Sequence, residues 1–295
     1  MDYLDKYGYA PDREEIGRAI EMIAANMDNI ASEQVYKDCF SMMDLTTLKT
    51  DDTPASVTKL VEKVNAFHKS YPEWPLPASV CVFSNFAATV KEVRKEDFNI
   101  TVVSACFPSS QSFLEVKLKE VEMAVEQGAD EVDIVLALNA FLAGNYEVAA
   151  EEIRQVRGVI DEVAGKQGRS VHLKVILETG LLKTPENIAN ASFLAMEAGA
   201  DFIKTSTGKV DVNATPLAAY VMCECIGIYR MATGKKIGFK PAGGISSAAD
   251  ALCYYSIVSS LLGKDWLNKE LFRFGVSRVA NSLLSAVEQK TVSYF

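Results

Sequence analysis

Asp133, Lys174, Lys204 and Lys240 are the residues of this chain whose types and settings could do chemistry. Each interrupts an apolar run. Val132 and Ile134 flank Asp133; Leu173, Val175 and Leu177 alternate with Lys174; Ile203 precedes Lys204; and Ile237 and Phe239 lead to Lys240. In the strands of a parallel barrel, alternate residues face the surrounding helices or the axis. With the apolar residues outward, one carboxylate and three amines from four consecutive strands converge on the interior. Lysine is almost never buried without a partner or a function. Taken singly, each lysine reads as a snorkelling or salt-bridged side chain, and Asp133 with Lys174 as a structural ion pair. Three lysines around one carboxylate leave excess buried positive charge, which is costly unless an amine is neutral or an anion is bound.

Such crowding lowers an amine pKa. A free lysine titrates at about 10.4 and is protonated at neutral pH. Two ammonium groups about 5 Å apart repel by roughly 3 kcal/mol at an effective dielectric of about 20, which is roughly two pKa units. Desolvation acts in the same direction. An amine brought to about 8 attacks an aldehyde, forming a carbinolamine and then an iminium. The iminium is an electron sink that permits carbon–carbon cleavage without a metal.

Three loops supply a second feature. Thr205-Ser206-Thr207-Gly208-Lys209 follows Lys204, Pro241-Ala242-Gly243-Gly244 follows Lys240, and Gly275-Val276-Ser277-Arg278 ends the last strand. Barrel enzymes often hold phosphate with the loops after the last strands and a helix N-terminus. Glycines let backbone N–H groups approach an anion, and Lys209 or Arg278 adds charge. One Gly-Gly is usually a turn; three such loops on one rim point to phosphate.

The elements that must carry these residues are strands alternating with amphipathic stretches, the pattern of βαβ units. Strands are expected at Phe40–Asp44, Ser79–Phe83, Ile100–Cys106, Glu131–Leu136, Val171–Glu178, Asp201–Thr205, Ile237–Pro241 and Phe272–Gly275. Leu114, Leu118, Val121 and Val125 recur at helical spacing after Ser112. Thr53-Pro54, Thr184-Pro185 and Thr215-Pro216 place a capping hydroxyl before a first-turn proline, and Gly128, Gly199 and Gly234 follow helices as C-caps. Ile16, Ile20, Ile23 and Met27 describe an additional N-terminal helix packed on the barrel. Eight such alternations favour a (β/α)8 TIM barrel over an open sheet. The expected organisation is one domain over 1–295, with a helical extension at 1–35 and a C-terminal tail at 289–295. No helix opens with a dinucleotide or P-loop fingerprint.

Composition narrows the partners. The 295 residues are 49% hydrophobic and 23% charged, enough for one large core, and the net charge of −9 offers no basic stripe for nucleic acid. The start Met1-Asp2-Tyr3-Leu4-Asp5-Lys6 lacks signal-peptide features, and no apolar run approaches a membrane span. A cytoplasmic location follows as the expectation. The six cysteines are scattered and read as reduced, mostly buried thiols; with only His68 and His172, a histidine-built zinc site is poorly supported. No metal and no cofactor is called for, and a homodimer is the one assembly considered.

Asp44-Leu45-Thr46-Thr47-Leu48, Ala129-Asp130-Glu131-Val132-Asp133, Leu173 to Gly180, Gly199 to Lys209 with its Phe202-Ile203-Lys204-Thr205-Ser206-Thr207-Gly208, and Gly238-Phe239-Lys240-Pro241-Ala242-Gly243-Gly244 closely resemble the deoxyribose-phosphate aldolase family. The likeness runs from about Phe40 to Val287. It implies reversible cleavage of 2-deoxyribose 5-phosphate to glyceraldehyde 3-phosphate and acetaldehyde. In its terms Lys204 forms the Schiff base, Lys240 depresses its pKa and shuttles protons with Asp133, and Lys174 orients Asp133 and the substrate hydroxyl. Asp44, Leu48, Thr207, Gly208, Lys209, Gly243, Gly244 and Ser277 would hold the substrate and its phosphate. Arg278 stands where the family often has a small or hydroxyl residue; it would strengthen the phosphate grip or change the preferred acceptor. Some members end in a tyrosine that assists proton transfer; here Tyr294 is penultimate and is equally well read as a terminal residue without a role. A class I aldolase for another sugar phosphate, a non-catalytic phosphate-binding barrel and a metal-dependent lyase remain as rivals.

Overall fold

Eight short runs rich in Val, Ile, Leu and Phe form the strands that the alternation predicts. They are β1 (Met43–Thr46), β2 (Ser79–Phe83), β3 (Asn99–Val103), β4 (Glu131–Val135), β5 (His172–Ile176), β6 (Phe202–Lys204), β7 (Gly238–Lys240) and β8 (Phe274–Val276). The computed structural model describes residues 2–295; Met1, which opens both the predicted domain and its extension, lies outside them. Every pairing is parallel, in the order β7-β6-β5-β4-β3-β2-β1-β8. Bridges Phe239↔Phe272 and Ala242↔Gly275 bring β7 beside β8 and close the (β/α)8 barrel.

Parallel neighbours need crossover helices. These include α5 (Pro54–Asn65) and the short α6 (Phe67–Ser70) after β1, α7 (Ala87–Val93) after β2 and α8 (Leu114–Glu126) after β3. After β4 come α9 (Leu138–Leu142) and α10 (Tyr146–Lys166), and after β5 α11 (Thr179–Leu182) and α12 (Pro185–Glu197). α13 (Pro216–Thr233), α14 (Ala248–Leu262) and α15 (Val279–Glu288) follow β6, β7 and β8. The predicted caps form: the Thr53, Thr184 and Thr215 hydroxyls accept N–H groups of the first turn, with proline behind each. Gly234 caps α13 with left-handed backbone, while Gly128 and Gly199, at φ +105° and +108°, stand one residue beyond the caps of α8 and α12.

The outward faces are as expected. Val132, Leu173, Val175, Ile203 and Phe239 are fully buried, each side chain contributing about 1.5–3 kcal/mol by leaving water. The first strand differs from its prediction by a few residues. Phe40 and Ser41 end α4 (Glu33–Ser41), which Ser32 starts by accepting from the Val35 N–H. Phe40 is apolar because it stacks on Phe67 at 5.0 Å and meets Trp74 edge-on at 5.3 Å. Periodicity cannot tell such a buried helix end from a strand. The N-terminal helix is observed as α2 (Arg13–Ala25) against α13 and α14, flanked by the short α1 (Tyr3–Tyr7) and α3 (Met27–Ile30), the latter opening at Met27. Among the described residues no helix is long and apolar enough to cross a membrane. The six cysteines are free, Cys106 and Cys253 only partly buried.

Candidate active site

Strand alternation places at least one polar side chain from every β-strand, or the residue beside it, inside the barrel. They are Asp44, Ser79, Thr101, Glu131 with Asp133, Lys174, Lys204, Lys240 and Arg273, all fully buried except Lys204, which is 4% exposed. Register does the positioning: Thr101 lies opposite Glu131, Asp133 opposite Lys174 and Lys204 opposite Lys240. Ser79 donates to Asp44 Oδ1 at 2.8 Å, and Thr101 Oγ1 stands 2.8 Å from Ser79 Oγ and 2.9 Å from Glu131 Oε2. Arg273 closes the ring, donating from Nη1 to Asp44 Oδ1 at 2.6 Å and from Nη2 to Glu131 Oε1 at 2.7 Å.

The three amines differ in how many carboxylates hold them. Lys174 reaches Asp133 Oδ1 at 3.0 Å, Asp44 Oδ2 at 3.6 Å and Glu131. Lys240 pairs with Asp133 Oδ2 at 2.7 Å and with Asp44. Lys204 has one partner, Asp133 Oδ2 at 2.9 Å. Two ammonium nitrogens on one oxygen cannot be farther apart than those two contacts laid end to end. Burial alone disfavours every charged amine. For Lys240 the Asp133 and Asp44 carboxylates outweigh burial and push the pKa above the ordinary lysine value; for Lys174 Asp133, Glu131 and Asp44 do the same. For Lys204 burial, opposed by Asp133 and reinforced by Lys240, wins and lowers the pKa. Burial would raise Asp133, but Lys174, Lys204 and Lys240 overcome it and hold the carboxyl well below its usual range.

The layer therefore corrects one expectation. Four cations, Lys174, Lys204, Lys240 and Arg273, face three anions, Asp44, Glu131 and Asp133, so the excess is one positive charge, where three lysines and one carboxylate implied two. Expected at the substrate, Asp44 is instead fully buried in this layer and does not line the cavity above, because Arg273 and Lys240 engage its two oxygens. Sequence reasoning missed Glu131 and Arg273. The signal was there: Glu131 stands two residues before Asp133 on the same face, and Arg273 separates Phe272 from Phe274.

Above the layer, at the C-terminal ends of the strands, opens a cavity of about 430 Å³. Of the four residues with which the sequence reading began, only Lys204 lines it. Leu48, Thr207, Gly208 and Lys209 form one side, and Gly243, Gly244, Ser277 and Arg278 another. Glu178, buried with φ +55°, fixes the Thr207 turn by accepting its hydroxyl at 2.5 Å and its N–H at 3.2 Å. Lys209 donates to the Leu48 carbonyl at 2.5 Å, tying two rim loops together. Gly243 has φ +78°, and a Cβ there would lie 2.6 Å from Asn213 Oδ1. α15 starts at this rim from Arg278 with no side-chain cap, leaving first-turn N–H groups available to an anion. Tyr294 does not line the cavity: its hydroxyl donates to the Lys63 carbonyl at 2.8 Å and its ring lies against Phe67 and Tyr71.

The DeoC/LacD family aldolase model matches residues 39–253. The chain is 42% identical over 261 residues to the deoxyribose-phosphate aldolase of Homo sapiens, covering 85% of this chain and 78% of that one. It is 39% identical over 259 residues to that of Bos taurus, covering 84% and 78%. The tetrameric deoxyribose phosphate aldolase of Aeropyrum pernix shares the fold at a TM-score of 0.65 and 22% identity, covering 94% of this chain and 98% of that one.

Proposed function

The chain belongs to the DeoC/LacD aldolase family and is a carbon–carbon lyase of the deoxyribose-phosphate aldolase type, and from that premise we propose that Lys204 forms a Schiff base with 2-deoxyribose 5-phosphate. The observation that carries the assignment is that Lys204, alone among the three interior amines, both lines the cavity and has a single carboxylate partner. Neutral Lys204 attacks the aldehyde carbon, and loss of water from the carbinolamine leaves an iminium. That dehydration takes a proton from the Lys240 ammonium, and Asp133 with water then relays the C3 hydroxyl proton to the Lys240 amine. The C2–C3 bond breaks, its electrons flow to the iminium, and glyceraldehyde 3-phosphate leaves. Lys240 returns that proton to the enamine at C2, and hydrolysis releases acetaldehyde, restores neutral Lys204 and recharges Lys240.

Asp133 is held so far below the ordinary range that it serves as a relay and as counter-charge to the iminium; it does not store the proton. Lys240 rests as a cation and so can donate the proton that dehydration consumes. Lys174, locked to Asp133 Oδ1, orients that carboxylate. The substrate phosphate is assigned to Gly208, Gly243, Gly244, Ser277 and the α15 N-terminus, with Arg278 and Lys209 supplying charge. Borohydride reduction in the presence of substrate, followed by peptide mapping, tests this directly. A single label on Lys204 is expected; a label on Lys174 or Lys240 with Lys204 untouched rejects the assignment.

A further inference from the structure

Arg273 and Glu131 take no part in the steps above. Both are fully buried, neither lines the cavity, and both sit on the far side of the charged layer from it. Arg273 bonds Glu131 with both Nη atoms, at 3.0 Å and 2.7 Å, and Glu131 passes the connection to Lys174. We infer that Arg273 and Glu131 are positioning residues that set the net charge of the layer in which Lys204 stands, and so the pH at which that amine becomes a nucleophile. This rests on Lys204 being the attacking amine.

The case is electrostatic. The groups facing Lys204 are Asp133 from β4, Lys240 from β7 and the Cys81 thiol from β2, which burial pushes up and keeps neutral. Behind them stand Lys174, Asp44, Glu131 and Arg273. In a low-dielectric interior a charge acts well beyond its nearest neighbour. The layer as built carries one excess positive charge. Neutralising Arg273 brings it to zero, favours the ammonium form of Lys204 and raises the pH needed for attack. Neutralising Glu131 brings it to two, disfavours the ammonium and lowers that pH. Neutralising both returns it to one. A purely architectural role for this bidentate pair predicts damage from every substitution, with no opposition of sign.

The test uses the full chain and acetaldehyde, which has no ionising group, trapped on the enzyme with cyanoborohydride across pH. Trapping rates of Arg273→Gln, Glu131→Gln, the double variant and Arg273→Lys are compared with the parent, and the label is mapped by mass spectrometry. The expected shift in the trapping midpoint is about one pH unit upward for Arg273→Gln and about one downward for Glu131→Gln, the order for one charge at second-neighbour range in an effective dielectric near 20. The double variant and Arg273→Lys should titrate as the parent does. Single variants that move together, or not at all, overturn the inference. If a single variant does not fold, the two charge-conserving variants decide, and departure of either from the parent midpoint overturns it. A parent label away from Lys204 instead refutes the nucleophile assignment and takes this inference with it.

Discussion

At the scale of single residues, reactivity here is allotted by counting carboxylates. Lys174 has three within reach, Lys240 two and Lys204 one, although all three are buried in the same layer. Burial penalises each alike, so the difference in partners separates a nucleophile from two amines that rest as cations. Lys240 also shares an oxygen with Lys204, and removing it relieves repulsion while leaving Asp133 attached. Lys240→Met should therefore lower kcat for deoxyribose 5-phosphate cleavage by about 10²–10⁴-fold, the usual range for loss of a positioned proton donor. The acidic limb of its pH–rate profile should move up, because Lys204 loses a repelling neighbour. Steady-state rates from pH 5 to 9 check both parts; an unmoved acidic limb would count against repulsion by Lys240.

At the scale of elements, the barrel's C-terminal rim depends on turns that carry no ionisable chemistry. Gly243 needs left-handed backbone and passes so close to Asn213 that a methyl group has no room. Gly275 packs against Ala242 at 2.7 Å from its would-be Cβ, which lets the loops after β7 and β8 lie side by side. Gly243→Ala should displace the phosphate loop without touching the charged layer. KM for the phosphorylated substrate should rise about 10-fold or more, while imine trapping with acetaldehyde keeps its rate, because only binding made through the phosphate is lost. Equal losses with both substrates would mean that the strain reaches Lys204.

At the scale of the whole molecule, the charged layer is also part of what holds the barrel together in acid. Burial would raise Glu131, but Lys174 and Arg273 outweigh it and bring its pKa down from the ordinary glutamate value to about 2. Asp44 and Asp133 are depressed as well. A carboxylate with a depressed folded pKa contributes stability that is complete above its unfolded pKa and lost as pH falls through the folded one. Urea midpoints should hence be nearly flat near pH 6 and drop between about pH 4.5 and 2. Glu131→Gln should be less stable at neutral pH, with a shallower acid slope. A variant slope as steep as the parent's would assign acid unfolding to other groups.

Alternation of Val, Ile, Leu and Phe around single charges was enough to determine from sequence that eight strands form a barrel and that Asp133, Lys174, Lys204 and Lys240 point inward, because a strand has only two faces. Threonine–proline pairs likewise determined where three helices start, since capping is settled within four residues. The glycine-bearing loops after the last strands were legible as a rim for the same local reason. Position within the barrel was not. Asp44, Glu131 and Arg273 join the lysines only through contacts across strands far apart in sequence, such as the pairing of Arg273 with Asp44 across 229 residues. The depth of Asp44 below the cavity, the docking of Tyr294 on Lys63 and the unequal number of carboxylates around each lysine were decided by closure of the barrel. Coulomb energies depend on distance and burial in three dimensions, which residue order alone does not contain.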